Sequence, residues 1–95
     1  MNDDLLATTI FDLLGRRNPT ASICPSEVAR ALAPDAWREL MPEVRKVAAT
    51  LAAEGELRIT QGERDIAPAD VVEGRVRGPI RLRLPATRRG VPPDQ

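Results

Sequence analysis

Arg45, Lys46 and Thr50 lie along one side of a strongly periodic apolar run, and their types suit one kind of chemistry. If that run is a helix laid in the major groove of DNA, the two cations reach guanine edges or phosphates. The threonine then meets a phosphate or a thymine methyl. Arg58, Arg81 and Arg83 form a second set. They alternate with apolar residues in Leu57-Arg58-Ile59-Thr60 and in Ile80-Arg81-Leu82-Arg83-Leu84. A pleated sheet would place all three on its outer face, with Arg75 and Arg77 in the preceding loop and Arg64 close by. Each phosphate such a cluster neutralised would steepen the salt dependence of binding. Carboxylates oppose both sets. Glu43 and Glu54 flank the first, while Asp65, Asp70 and Glu73 could pair with the second and make it an ordinary charged sheet face that also guards its edges. Ala49 and Ala53, expected on the same outward side as Arg45, bring no hydrogen bonds.

Other chemistry has fewer residues to work with. The chain has one cysteine and no histidine, which excludes zinc fingers, Cys/His dyads and disulfide frameworks. Cys24 precedes a helix start, where unpaired N–H groups can favour a thiolate. Cys24-Pro25-Ser26 resembles a monothiol redox motif, but those motifs follow a strand in a βαβ unit and here a helix and a turn come first. Glu27, Glu39 and Glu43 have nothing to gather them into an acid–base cleft, and Glu27 with Arg30 reads as a weak helix pair. Catalysis is the least supported class, and neither a metal nor a cofactor is expected.

The 95 residues suit one domain. Fourteen basic and fourteen acidic side chains sum to zero, and 42% of the chain is apolar. Phe11 and Trp37 are the only aromatics, so the core must be aliphatic, and a base-stacking platform for single-stranded RNA is excluded. The zero charge hides a polarity. Residues 1–55 hold six bases against eight acids, residues 56–95 eight arginines against six acids, and Arg75 to Arg89 carries six arginines and no acid. The acidic Met1-Asn2-Asp3-Asp4 start and the lack of a long apolar run point to a cytoplasmic protein with no membrane span.

These residues need elements to carry them. A first helix is expected from Asp3 or Asp4 to Leu14, capped by Asn2, with Leu6, Ile10, Leu13 and Leu14 inward and Gly15 as its stop. Arg16 and Arg17 follow, and Asn18-Pro19 marks a turn. Pro25 opens a second helix with Val28, Ala31 and Leu32 buried, ending at Ala33-Pro34-Asp35. A short helical turn from Asp35 to Met41 follows, and Pro42 is read as the fresh start of a third helix to Glu54. Its inner face is Val44, Val47, Ala48 and Leu51, with Leu40 extending the stripe upstream and Gly55 stopping it. Trp37 is expected to plug the junction of the second and third helices, where its truncation would cost about 3–5 kcal/mol. Leu57–Thr60 reads as a strand, Gln61-Gly62-Glu63 as a turn, Arg64–Ile66 as a short return strand, Ala67–Gly78 as a loop and Ile80–Leu84 as a strand. The fold expected is α+β, mainly α: a winged helix with a three-helix core containing a helix-turn-helix, followed by a β-hairpin or small antiparallel sheet. It would fill residues 1–84, with residues 85–95 as a Pro- and Arg-containing tail.

Four blocks also carry a resemblance. Cys24-Pro25-Ser26-Glu27-Val28-Ala29-Arg30-Ala31-Leu32, Trp37-Arg38-Glu39-Leu40-Met41-Pro42-Glu43-Val44-Arg45, Thr60-Gln61-Gly62 and Gly78-Pro79-Ile80-Arg81-Leu82 resemble a small bacterial family catalogued only as a domain of unknown function. The resemblance runs from about Leu5 to Leu84. It implies a winged-helix fold and a bacterial origin. Some members are joined to a small cysteine-rich segment of a zinc-binding kind, which this sequence lacks. The family has no established activity, so no catalytic role carries over.

Two functions stand side by side on this reading. One is binding of double-stranded DNA through Arg45, Lys46, Thr50, Arg58, Arg81 and Arg83. The other is a protein-interaction or homodimerisation module with no nucleic-acid or catalytic role, a use to which this fold is equally suited. A single continuous positive face would favour the first, and interruption by Glu43, Glu54, Glu56 and Glu63 the second.

Overall fold

The computed structural model describes residues 2–16 and 21–85. Arg17, the expected Asn18-Pro19 turn and the tail beyond Pro85 lie outside them. The first helix, α1 (Asp3–Gly15), begins as its sequence requires. Asn2 Oδ1 accepts the backbone N–H groups of Asp4 at 2.6 Å and Leu5 at 3.4 Å, and Asp3 and Asp4 place negative charge at the positive end of the helix dipole. Leu6, Ile10 and Leu14, four residues apart, form its buried stripe. Gly15 is the last helical residue, and the chain leaves through Arg16 in a right-handed conformation, so the helix ends without a left-handed turn.

A two-residue strand that the sequence did not announce, β1 (Ser22–Ile23), precedes α2 (Pro25–Leu32). Pro25 takes the first helical position, where its missing N–H costs nothing, and Glu27 Oε2 accepts the Cys24 N–H at 2.7 Å. Val28 is buried as expected, but Ala29 is the buried alanine, while Ala31 is exposed and Leu32 half-buried. Residues 33–36 make the turn into α3 (Trp37–Ala53). The fresh start expected at Pro42 is not there: one helix runs through the proline. Leu40 lies one turn before Val44, and burying both on one stripe holds the two segments in one helix. At the far end the expected Gly55 stop takes the left-handed conformation, φ 77°. The Gly55 N–H reaches Ala52 O and the Glu56 N–H reaches Leu51 O, which satisfies two of the last helical carbonyls.

Four antiparallel strands form one sheet in the order β1-β4-β2-β3, with β2 (Arg58–Gln61), β3 (Arg64–Asp65) and β4 (Arg81–Arg83). Leu82 of β4 lies opposite Ile59 of β2 on one side and Ile23 of β1 on the other. Alternation turns all three inward, where they join Leu6, Ile10, Val28 and Val44 in one aliphatic core. Phe11 and Trp37 are only half-buried at its edge. Trp37, the first residue of α3, sits at the junction with α2 as expected but is only half-buried there, so truncating it should cost less than the about 3–5 kcal/mol of a fully enclosed aromatic.

The expected Ala67–Gly78 loop contains a fourth helix, α4 (Pro68–Val72), begun by Pro68 and anchored by buried Val71. It packs on α3. The protein is therefore α+β and mainly helical, an arrangement compatible with a winged helix, and the connection between β3 and β4 packs on the third helix through α4. Among the described residues no helix is long and apolar enough to cross a membrane.

Candidate nucleic-acid interface

Arg45, Lys46 and Thr50 are exposed on α3, but the surface around them is not the one their spacing suggests. Ala49, expected to face outward, is only 2% exposed. α4 lies over this part of α3, and Ala49, Thr50 and Ala53 line a shallow groove with Pro68, Ala69 and Val72. Val72 itself is 61% exposed on the rim. Thr50 Oγ1 donates to Lys46 O at 3.1 Å, so its proton is used inside the helix. Lys46 and Thr50 also border a second groove together with Asp3 and Asp4 of α1 and Glu54. Three carboxylates beside one lysine oppose the approach of a polyanion.

The sheet arginines are placed as alternation predicts and bonded as it could not. Arg58 stands opposite Arg83 and Thr60 opposite Arg81, all on the outer face. Arg81 donates from Nε to Ser22 Oγ at 2.8 Å and from Nη2 to Ser22 O at 3.0 Å. Arg83 Nε donates to Thr60 Oγ1 at 3.2 Å, and Thr60 is buried beneath. Arg58 holds Asp65 Oδ1 through Nε at 3.2 Å and Nη2 at 2.8 Å. A guanidinium turning to a phosphate would give up such bonds, and hydrogen bonds to charged groups contribute about 1.5–3 kcal/mol where they are sheltered from water. Arg58 and Asp65 are open to solvent, so theirs is worth less.

Just beyond α4, Arg75 is paired with Glu73 at 2.9 Å and Asp70 at 3.4 Å. Gln61 Nε2 donates to Arg77 O and to Pro79 O, which ties the returning loop to β2. Arg64 and Arg77 share the cleft between them with Asp70 and Arg75.

The six residues do not form one face. Ile23, Ile59 and Leu82 of the sheet and Val44, Val47 and Ala48 of α3 meet in the same core. Arg45, Lys46 and Thr50 therefore look out from the helical layer, and Arg58, Arg81 and Arg83 out from the sheet. Cys24 is the half-buried cap of α2, and its Sγ accepts the Ser26 hydroxyl at 3.1 Å. Among the described residues no group of three or more His, Cys, Asp or Glu side chains is arranged to hold a metal ion.

One cluster was not legible in the sequence. The guanidinium carbon of Arg30, on α2, lies 4.3 Å from the centre of the Trp37 ring, and that of Arg38 lies 4.7 Å from it. Adjacency signals the second contact. The first exists only because the turn at residues 33–36 folds α2 against the start of α3.

Residues 3–85 match the model of a family described as a protein of unknown function, DUF3253. A search of curated proteins finds no match.

Proposed function

The chain belongs to the DUF3253 family of proteins of unknown function, and we propose that it serves as a protein-interaction module without a catalytic role and does not read duplex DNA. The observation that carries this reading is α4 lying over Ala49 of α3. A groove-reading helix needs one long side free of its own protein, and here the C-terminal half of that side is taken. The N-terminal half mixes Arg38, Arg45 and Lys46 with exposed Glu39 and Glu43, so its charges largely cancel toward a phosphate backbone. The remaining arginines of the candidate set face another way and hold partners of their own.

Fluorescence anisotropy of a labelled generic duplex at about 50 and about 200 mM salt tests this. The expected result is no saturable binding at either salt. Tight binding at the lower salt, lost by a factor of about a thousand at the higher, would overturn the proposal. Weakening of that binding by Arg81→Ala with Arg83→Ala would then restore Arg81 and Arg83 as DNA contacts. Light scattering of the same sample distinguishes a second copy of the chain from a different protein as partner.

A further inference from the structure

We infer that the corner between α2 and α3, where Arg30 and Arg38 share the indole of Trp37, docks an acidic segment of a partner protein. Its carboxylates are taken by the two guanidiniums, and an apolar side chain lies against the exposed Ala31, Pro34 and Ala36 beside them. The inference rests on the interaction-module reading and names the chemistry of the partner.

The two guanidinium carbons are 4.3 and 4.7 Å from one ring centre, so the charges lie within about 9 Å of each other. Two cations this close repel, and the negative face of the indole offsets part of that repulsion. Contact over a ring leaves the edge N–H groups of a guanidinium available, and each arginine has five such donors. Among the described residues neither Arg30 nor Arg38 has a carboxylate partner. Both are exposed, and so are Ala31, Pro34, Ala36 and Pro42 around them. A tryptophan flanked by arginines is a combination enriched at interface hot spots. Because the ring already holds the two long side chains, less rotamer freedom is lost when a ligand arrives.

The corner mixes two cations with two anions, so it suits a ligand with discrete charges and not a uniform polyanion. Asp35 and Glu39 are exposed in the same corner. A duplex, with one negative charge per about 1.7 Å of its axis, would press phosphates against both. A peptide can instead present two separate carboxylates. Alternate residues of an extended strand, or residues three or four apart on a helix, place them about 5–7 Å apart, within the span of the two guanidiniums.

Trp37 is the only tryptophan and the chain has no tyrosine, so its fluorescence reports on this corner. The full chain is titrated with a labelled, end-capped peptide of alternating Glu and Leu, following both Trp37 emission and peptide anisotropy. The expected result is a saturable change in both, absent for the same peptide with Gln in place of Glu. Arg30→Gln with Arg38→Gln should weaken binding by about tenfold or more while the thermal melt stays cooperative. The comparison of Glu and Gln peptides on the unaltered chain does not depend on how well that variant folds. No saturable response, or an equal response to the Gln peptide, overturns the inference. Peptide binding that leaves Trp37 emission unchanged also overturns it, and leaves the interaction-module reading standing with its surface elsewhere. A Trp37 response to duplex DNA tighter than that to the peptide overturns both.

Discussion

Leu82→Ala should cost about 2–5 kcal/mol of stability, the range for a fully enclosed leucine cut to alanine. Leu82 is fully buried on β4, the strand between β1 and β2, with Ile23 and Ile59 directly opposite it. Its side chain is thus enclosed by two strands and the helical core at once. Truncation removes the transfer free energy of the lost methyl groups and leaves a cavity that three elements would have to move together to fill. A domain of this size has about 5–15 kcal/mol in total, so the loss is a large share. Urea unfolding followed by circular dichroism checks it, with a lower midpoint and an unchanged slope as the signature. Val72→Ala, on the exposed rim of α4, serves as the control and should change stability by less than about 0.5 kcal/mol. A Leu82→Ala midpoint equal to that of the control would mean that β4 does not occupy the centre of the sheet.

Pro42→Ala should act in the opposite direction and stabilise the protein by about 1–3 kcal/mol. α3 runs unbroken from Trp37 to Ala53 with Pro42 inside it. The proline stands beyond the first four helical residues, whose N–H groups have no intrahelical acceptor in any case. Its ring therefore removes a hydrogen bond that the carbonyl of Arg38 would otherwise accept. The side chain is exposed, so alanine loses no packing in return. Were Pro42 the first residue of a separate helix, alanine there would be close to neutral, because the missing N–H would already lack a partner. Thermal unfolding decides between these: a rise of about 4–8 °C per kcal/mol is expected for a domain this small. An unchanged midpoint would restore the two-helix reading.

The helix starts and stops that depend on a few adjacent residues were legible. Asn2 caps α1, Pro25 opens α2, and Gly55 closes α3 with a left-handed residue, each through contacts spanning fewer than six positions. The outward register of Arg58, Arg81 and Arg83 was legible for the same reason, since alternation is a property of the strand itself. Local rules failed where a distant contact outweighed them. Pro42 is a helix-start signal, and the continuous stripe of Leu40 and Val44 overrode it. β1 and α4 are two and five residues long, too short for any periodicity. β1 exists because the edge of β4 offers it hydrogen bonds, and α4 because the side of α3 offers Val71 a place to be buried.

The same division runs through the candidate site. An aliphatic core, a mainly helical α+β fold and an arginine-rich second half are consequences of composition and spacing, and the sequence by itself determined them. Which arginines still have donors to offer is a matter of partners far along the chain. Arg81 meets Ser22 across 59 positions, Arg30 meets Trp37 across a turn, and α4 returns to cover Ala49. Only the tertiary structure decided these, because a guanidinium's bonds depend on what lies within about 3 Å of it in space, and neither charge nor spacing along the chain specifies that.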